Sequence, residues 1–446
     1  MEIEKVHVVS LGCSKNLVDS EVITASLMMD GCEITSDPEE ASIIIINTCA
    51  FILPAKEESI DEIFRMAEMK EKGRCRRLVV AGCLPQRYGS ALAREMPEVD
   101  LFIGTGEVPR VVELLRDLEK GESPEDRLCI GDPTFIMHSS NPRVISTPSY
   151  MSYLKIAEGC SNRCSYCVIP VIRGNFRSRE MDDVIEETET LARRGVKEII
   201  LTAQDTTSYG RDQKSDVTLA ALLKGLVAVD GIEWIRLLYT YLMNITDELL
   251  EIIAKEEKIC NYLDIPIQHI DDRILTAMKR RGDSLLIRET LARTRKIVPA
   301  VAIRTSLIVG FPGETPREFR NLLNFVKEAR FDHLGVFNYS QEEGTEAAEF
   351  PRQVSERVKE SRRNMIMEEQ SLISYEINQT LIGSEEKILI EGISEIAEYD
   401  YVGRVRRQAP DIDGVTYLKS GKLTPGDIVR CRITACDEYD LYAEER

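Results

Sequence analysis

Apolar runs and helical periodicity alternate along most of this chain. VHVVSLG, ASIIIINT and RRLVVAG are continuous, β-branched stretches of strand length, the pattern of strands buried on both faces. Residues 16–29, 56–71 and 107–120 carry apolar positions at helical spacing. The alternation predicts an N-terminal α/β domain with a parallel sheet over residues 1–120. Residues 121–148 are rich in Pro, Gly and Ser with weak periodicity, and read as a linker. A second domain is expected over 149–374. There, strand patterns at 153–157, 198–203, 233–239, 262–265, 302–309 and 333–338 alternate with helical ones, which predicts a partial (β/α)6 barrel of the TIM type. A long helical run over 352–379 leads into a β-rich ending, so residues 375–446 are expected to form a small antiparallel β-barrel.

Composition narrows the class. The 446 residues have unexceptional apolar and charged fractions, as in ordinary globular proteins. No basic, apolar leader pattern opens the sequence, which predicts a chain without a signal peptide. The longest apolar stretch, 43–53, is interrupted by Asn47 and Thr48 and is too short to span a bilayer. A cytoplasmic protein with no membrane partner is expected. The formal charge of -19 argues against holding nucleic acid through a general basic surface and suits a basic protein partner.

The candidate chemistry lies in the cysteines. Cys160, Cys164 and Cys167 stand in C-x3-C-x2-C spacing. Three thiolates on one loop can bind three irons of a cubane and leave the fourth open. A zinc site or three buried thiols are the alternatives, but zinc favours paired C-x2-C units and no second pair follows. Cys13, Cys49 and Cys83 each follow one of the three apolar runs, and strand ends form the ligand crevice of a parallel sheet. They are candidates for a second three-thiolate cluster; the alternative is inert core cysteines. Cys32, Cys75, Cys129, Cys260, Cys431 and Cys436 have no ligand spacing, and the last two read as small apolar fillers of adjacent strand positions. In TSLIVGFPGET, Gly310 and Gly313 allow a tight turn or a close approach to a ligand, while Thr315, Pro316 and Glu318 start a helix. Either a cofactor wall or a well-made turn fits Gly310.

Six segments, GCSKNLVDSE, INTCAFI, AGCLPQRY, GCSNRCSYCVIPVIRG, LDIPIQH and LIVGFPGET, together resemble the methylthiotransferases of the radical S-adenosylmethionine (SAM) superfamily over nearly the whole chain. The resemblance implies two 4Fe-4S clusters and two uses of SAM. The Cys160, Cys164, Cys167 cluster would cleave SAM to a radical that removes a hydrogen from an unactivated carbon. The Cys13, Cys49, Cys83 cluster would carry the sulfur, which a second SAM methylates. GCSKN and VIPVIRG look closer to the branch that modifies the β-carbon of an aspartate in a basic small-subunit ribosomal protein than to the branch that modifies an adenosine of transfer RNA.

The resemblance also implies that the ending is a TRAM domain, a barrel that commonly binds RNA. Residues 375–446 hold fifteen acidic against nine basic residues, which favours a basic protein, although Arg404, Arg406 and Arg407 could form a local basic patch. Gln204, Asp205, Gln268, Arg304 and Gly310 are the candidate SAM contacts at strand ends, with structural hydrogen bonds as the alternative. Arg173, Arg177 and Arg179 read either as contacts for an acidic substrate group or as a solvated loop. The four histidines form no close pair and read as structural. An electron donor such as a flavodoxin or ferredoxin is implied, and the sulfur donor is not indicated. A non-catalytic iron-sulfur scaffold that binds ribosomal components is the rival class.

Overall fold

The computed structural model describes residues 4–118, 127–213 and 217–446. Residues 119–126, the end of the third helical pattern and the start of the expected linker, lie outside the described residues. The chain forms two compact units: Met1–Ser146, Tyr153–Val184 and Ser340–Ala348 make the first, and Thr147–Ser152, Ile185–Tyr339 and Glu349–Arg446 the second.

The first unit is built on a parallel sheet ordered Glu33–Ile34, Lys5–Ser10, Ile43–Thr48, Arg77–Gly82, Leu101–Ile103, Leu128–Cys129. Its β-branched runs are buried as their composition demands: Ile44, Ile46, Leu78 and Val80 pack with Ile63, Met66 and Phe102. Strand order reverses between Lys5–Ser10 and Ile43–Thr48, and a ligand crevice opens at such a switch point. The sixth strand falls in the expected linker, where Phe102 pairs with Leu128 and Ile103 with Cys129. Two residues are too short to show a period, so the sequence pattern hides this strand.

The second unit carries a sheet ordered His333–Asn338, Ala302–Val309, Ile259–Asp264, Trp234–Leu237, Glu198–Thr202, with the strand that begins at Met151 at its far edge. Helices at Leu219–Val227, Asp247–Lys255, Ser284–Ile297 and Pro316–Ala329 lie between successive strands. The capping box at Thr315 and Glu318 forms as the sequence predicts. Helix Glu356–Gln379 then leads to a closed five-stranded barrel over Glu385–Glu445. Four of its strand pairs are antiparallel, and Thr416–Lys419 runs parallel to Leu441–Glu445. Cys431 is fully buried in this barrel, and Cys436 lies on the same strand.

The small barrel is bound to the N-terminal ends of the larger sheet's strands by buried charge. Glu198, the first residue of its strand, accepts from Arg236 at 2.8 Å and from Arg404 at 2.6 Å, and none of the three is more than 1 % exposed. Arg236 donates to the Arg406 carbonyl at 2.8 Å, Arg406 to that of Ile259, and Arg407 pairs with Asp332. The local basic patch that Arg404, Arg406 and Arg407 could have formed is therefore used up inside the unit. Their partners are distant in sequence and could not be read from it.

Removing one partner of a buried pair strands the other, which costs about 3–5 kcal/mol. Arg404→Met is expected to lower stability by that order, while Lys224→Met, at the exposed pair with Glu248, changes it by less than about 1 kcal/mol. Urea unfolding followed through Trp234, the single tryptophan, whose ring lies 6.0 Å from the Arg236 guanidinium, measures both.

Candidate metal centre

Cys13, Cys49 and Cys83 sit at the carboxyl ends of the strands at and beside the switch point. Gly12 has φ of +88°, and a Cβ there would lie 2.6 Å from the Cβ of Cys49. Gly82 has φ of +94°, and its Cβ would fall 2.9 Å from the Thr48 carbonyl. The glycines before Cys13 and Cys83 are thus each required twice, for the turn and for the close approach of neighbouring strands, whereas Thr48 precedes Cys49. Cys13 caps the helix Ser14–Met29, and Cys83 is the first residue of Cys83–Glu95. A helix N-terminus favours a thiolate. Ser59 holds Cys49 by accepting its N–H at 3.1 Å and donating to its carbonyl at 2.9 Å. Asn16 ties two of the cysteine loops together, its amide donating to the carbonyls of Leu11 at 3.0 Å and Thr48 at 2.8 Å.

The three thiols feel one another. Burial, with the charges of Cys83 and Cys13, pushes Cys49 up to about 12. Burial also raises Cys83, against the pull of the Arg173 guanidinium. At Cys13 burial acts upward, but Lys15, Arg173 and the backbone N–H groups of Asn16 and Lys15 outweigh it and lower the thiol.

Cys160, Cys164 and Cys167 lie, partly exposed, on a loop closed at its base. Ala157 pairs with Ser178 and Glu158 with Arg177, and the Cys160 N–H donates to the Gly174 carbonyl at 3.0 Å. Gly159, with φ of +79°, leaves no room for a Cβ beside the Asn175 carbonyl. The Cys167 N–H turns back to the Cys164 carbonyl at 3.1 Å. Among the described residues no three His, Cys, Asp or Glu side chains are gathered around a single-ion position. A cubane asks something different, since each thiolate binds its own iron and the sulfurs stand apart around the cluster.

Both cysteine sets belong to the first unit and are joined there. Val168 and Ile172, just beyond Cys167, pack in the same apolar cluster as Cys83 and Ala50. Arg173 donates to Asp19 at 2.6 Å and reaches Glu158 at 3.4 Å, and Lys155 pairs with Asp19 and, at 2.9 Å, with Glu158. All four are at most 4 % exposed. Arg173 also donates to Asn16 Oδ1, and its Nη2 lies 3.5 Å from Cys83 Sγ. A second clasp comes from Glu342, which accepts from Lys56 and Arg87 at 2.7 Å each, while the Ala347 N–H donates to the Ser165 carbonyl at 2.8 Å.

These contacts correct the reading of Arg173 and Arg179 as members of a solvated loop. Arg179 is 1 % exposed and bound to Asp183 at 2.6 Å; Arg177 is half-buried and donates to the Asn175 carbonyl. Sequence reasoning missed Asp19, Lys155 and Glu158 altogether. The signal was present in YLKIAE, where two charges break into an otherwise apolar run.

Three family profiles match the chain: "Uncharacterized protein family UPF0004" over residues 5–104, the radical SAM superfamily over 154–326 and the TRAM domain over 382–445. Among curated proteins, the ribosomal protein uS12 methylthiotransferase RimO of Syntrophus aciditrophicus is 61 % identical over 442 residues, covering 98 % of each chain. The protein of the same name from Geobacter sulfurreducens is 55 % identical, covering 99 % of this chain and 98 % of its own. This chain belongs to the RimO family.

Among solved structures, the radical SAM methyltransferase TsrM of Kitasatospora setae, with cobalamin and a [4Fe-4S] cluster bound, aligns with a TM-score of 0.58 at 15 % identity over 75 % of each chain. That likeness is one of fold. The RimO relatives match across the full length, so the family assignment covers every domain.

The candidate SAM contacts of this RimO-family chain lie in the second unit, and they divide by what already occupies them. Asp205 caps the short helix Thr206–Ser208, accepting from Thr207 Oγ1 at 2.8 Å and Ser208 Oγ at 2.7 Å. Arg304 is held by Asp264 at 3.2 Å and by Asp413 of the small barrel at 3.4 Å. At Gly310, with φ of +73°, the Lys359 side chain occupies the place a Cβ would take. Gln204 is half-buried two residues beyond its strand. Gln268 adopts φ of +73° while its N–H and carbonyl bridge to Ser306 and Ile308.

The thiol chemistry gives an expected order of reaction. In metal-free protein at neutral pH, iodoacetamide should label Cys13 before Cys49, and the Cys49 rate should keep rising with pH above 9 because its thiolate forms only near 12. Peptide mass spectrometry against pH reads this; faster labelling of Cys49 than of Cys13 at neutral pH would contradict it.

Proposed function

We infer that this chain is a radical SAM methylthiotransferase acting on ribosomal protein uS12, placing sulfur and a methyl group on the β-carbon of an aspartate. The observation that carries the reading is the full-length relation to RimO proteins at 61 % and 55 % identity, combined with two cysteine triplets in one compact unit. When bound, the clusters and SAM supply one-electron chemistry at an unactivated C–H bond and the group that replaces its hydrogen; no general base of ordinary pKa could open such a bond.

The residues supply placement. Cys160, Cys164 and Cys167 would hold one 4Fe-4S cluster with an iron open to SAM, and Cys13, Cys49 and Cys83 would hold the second. Gly12 and Gly82 let the second set's loops approach, Asn16 braces them, and the burial of Cys49 and Cys83 keeps water from their sulfurs. Gln204, Asp205, Gln268, Arg304 and Gly310 are the strand-end residues assigned to SAM. A flavodoxin or ferredoxin would supply electrons, and the cytoplasm, where ribosomes assemble, is the site of action.

The C-terminal barrel supports a basic protein substrate. Tyr417 stacks on Tyr442 with centroids 5.5 Å apart and Tyr399 leans against both at 5.2–6.1 Å, and Glu395, Glu398, Asp437 and Asp440 lie near enough to raise their hydroxyls after burial has done so. Aromatic faces ringed by carboxylates suit lysine and arginine side chains. Arg404, Arg406 and Arg407 are engaged internally, so the local basic patch they could have offered to transfer RNA is not free.

Anaerobically reconstituted protein with SAM and dithionite tests the assignment. The Cys13, Cys49, Cys83→Ala protein is expected to keep forming 5'-deoxyadenosine with about half the iron and sulfide, yet to add no methylthio group to uS12. The Cys160, Cys164, Cys167→Ala protein is expected to do neither. Methylthiolated transfer RNA with unmodified uS12 would overturn the substrate.

A further inference from the structure

Arg173 has a placement that packing alone does not demand. It ends the helix Ile169–Arg173, six residues after Cys167, yet its guanidinium turns to the other cysteine set. Nη2 lies 3.5 Å from Cys83 Sγ and donates to Asn16 Oδ1, while Nη1 donates to Asp19 at 2.6 Å. Lys155 shares Asp19 and Glu158, so the two carboxylates do not cancel the guanidinium alone. Arginine stays charged at any pH the protein meets. At 3 % exposure its field acts on the sulfur with little screening from water or salt.

We propose that Arg173 is a positioning residue for the N-terminal set: it fixes the Cys83 sulfur and raises the electron affinity of the cluster held by Cys13, Cys49 and Cys83. The proposal rests on the ligand assignment above. Reducing a cluster adds negative charge, and hydrogen bonds and cations at its sulfurs set how readily that happens. Because Arg173 is carried by the loop of the other set, any displacement of that loop moves the cation at Cys83.

The test uses the full-length chain with Cys160, Cys164 and Cys167 changed to alanine, reconstituted anaerobically, so that the N-terminal cluster is titrated alone by potentiometry with electron paramagnetic resonance. Arg173→Gln is expected to lower the reduced-to-oxidised ratio at a fixed potential about tenfold, which is about 59 mV for a one-electron couple. Arg173→Lys keeps a cation for Asp19 and Glu158 but lacks the second nitrogen for sulfur, and is expected to shift part of the way. An unchanged midpoint in the folded Gln variant, or in the Lys variant if the Gln variant does not fold, overturns the role of Arg173. Absence of iron and sulfide from the parent with Arg173 intact would instead remove the ligand assignment, and the proposal with it.

Discussion

The first unit depends on a balanced cluster of four buried charges, Asp19, Lys155, Glu158 and Arg173. Two cations and two carboxylates out of water are tolerable only when each has its partners, and removal of any one leaves an uncompensated charge. The members come from the first helix, from the strand before the cysteine loop and from the loop's own return. That fixed geometry holds a loop remote in sequence against the crevice of the parallel sheet. Apolar packing of Val168 and Ile172 with Cys83 and Ala50 adds cohesion without direction; the charges supply direction.

The second unit uses buried charge for another purpose. Glu198, Arg236 and Arg404 lock the small barrel to the N-terminal ends of the strands, the end that in such barrels serves stability, while the C-terminal ends serve chemistry. The small barrel keeps an outward cluster of tyrosines and carboxylates. Arg404, Arg406 and Arg407 thus serve as fasteners inside the unit, while Arg430 and Arg432 stay exposed on the barrel with acids such as Glu395 and Glu398.

Much of this was legible in the sequence. Ala302–Val309 and His333–Asn338 occur at the expected bounds because β-branched runs closed by Gly and polar residues leave little choice. The six cysteines stood out because their spacing and their place after apolar runs are local features. What escaped was non-local. Arg173 looked like a loop arginine because its partners lie far from it in sequence, and Arg404 looked like a surface patch for the same reason. The strand Leu128–Cys129 carries too few residues to show a period. The return of Ser340–Ala348 to the first unit rests on Glu342 meeting Lys56 and Arg87, a contact no periodicity encodes. Gly310 was ambiguous in principle, since a glycine that admits a ligand and one that admits a neighbouring side chain look alike in a sequence.

The central claim is that the two cysteine triplets are held close together by this charged clasp. Electron paramagnetic resonance of the fully reconstituted, reduced protein tests it directly, by comparison with the two variants that each retain one triplet. The account predicts a spectrum broadened or split by coupling between neighbouring paramagnetic centres, unequal to the sum of the single-triplet spectra. A spectrum equal to that sum, with both centres present and reduced, would contradict it.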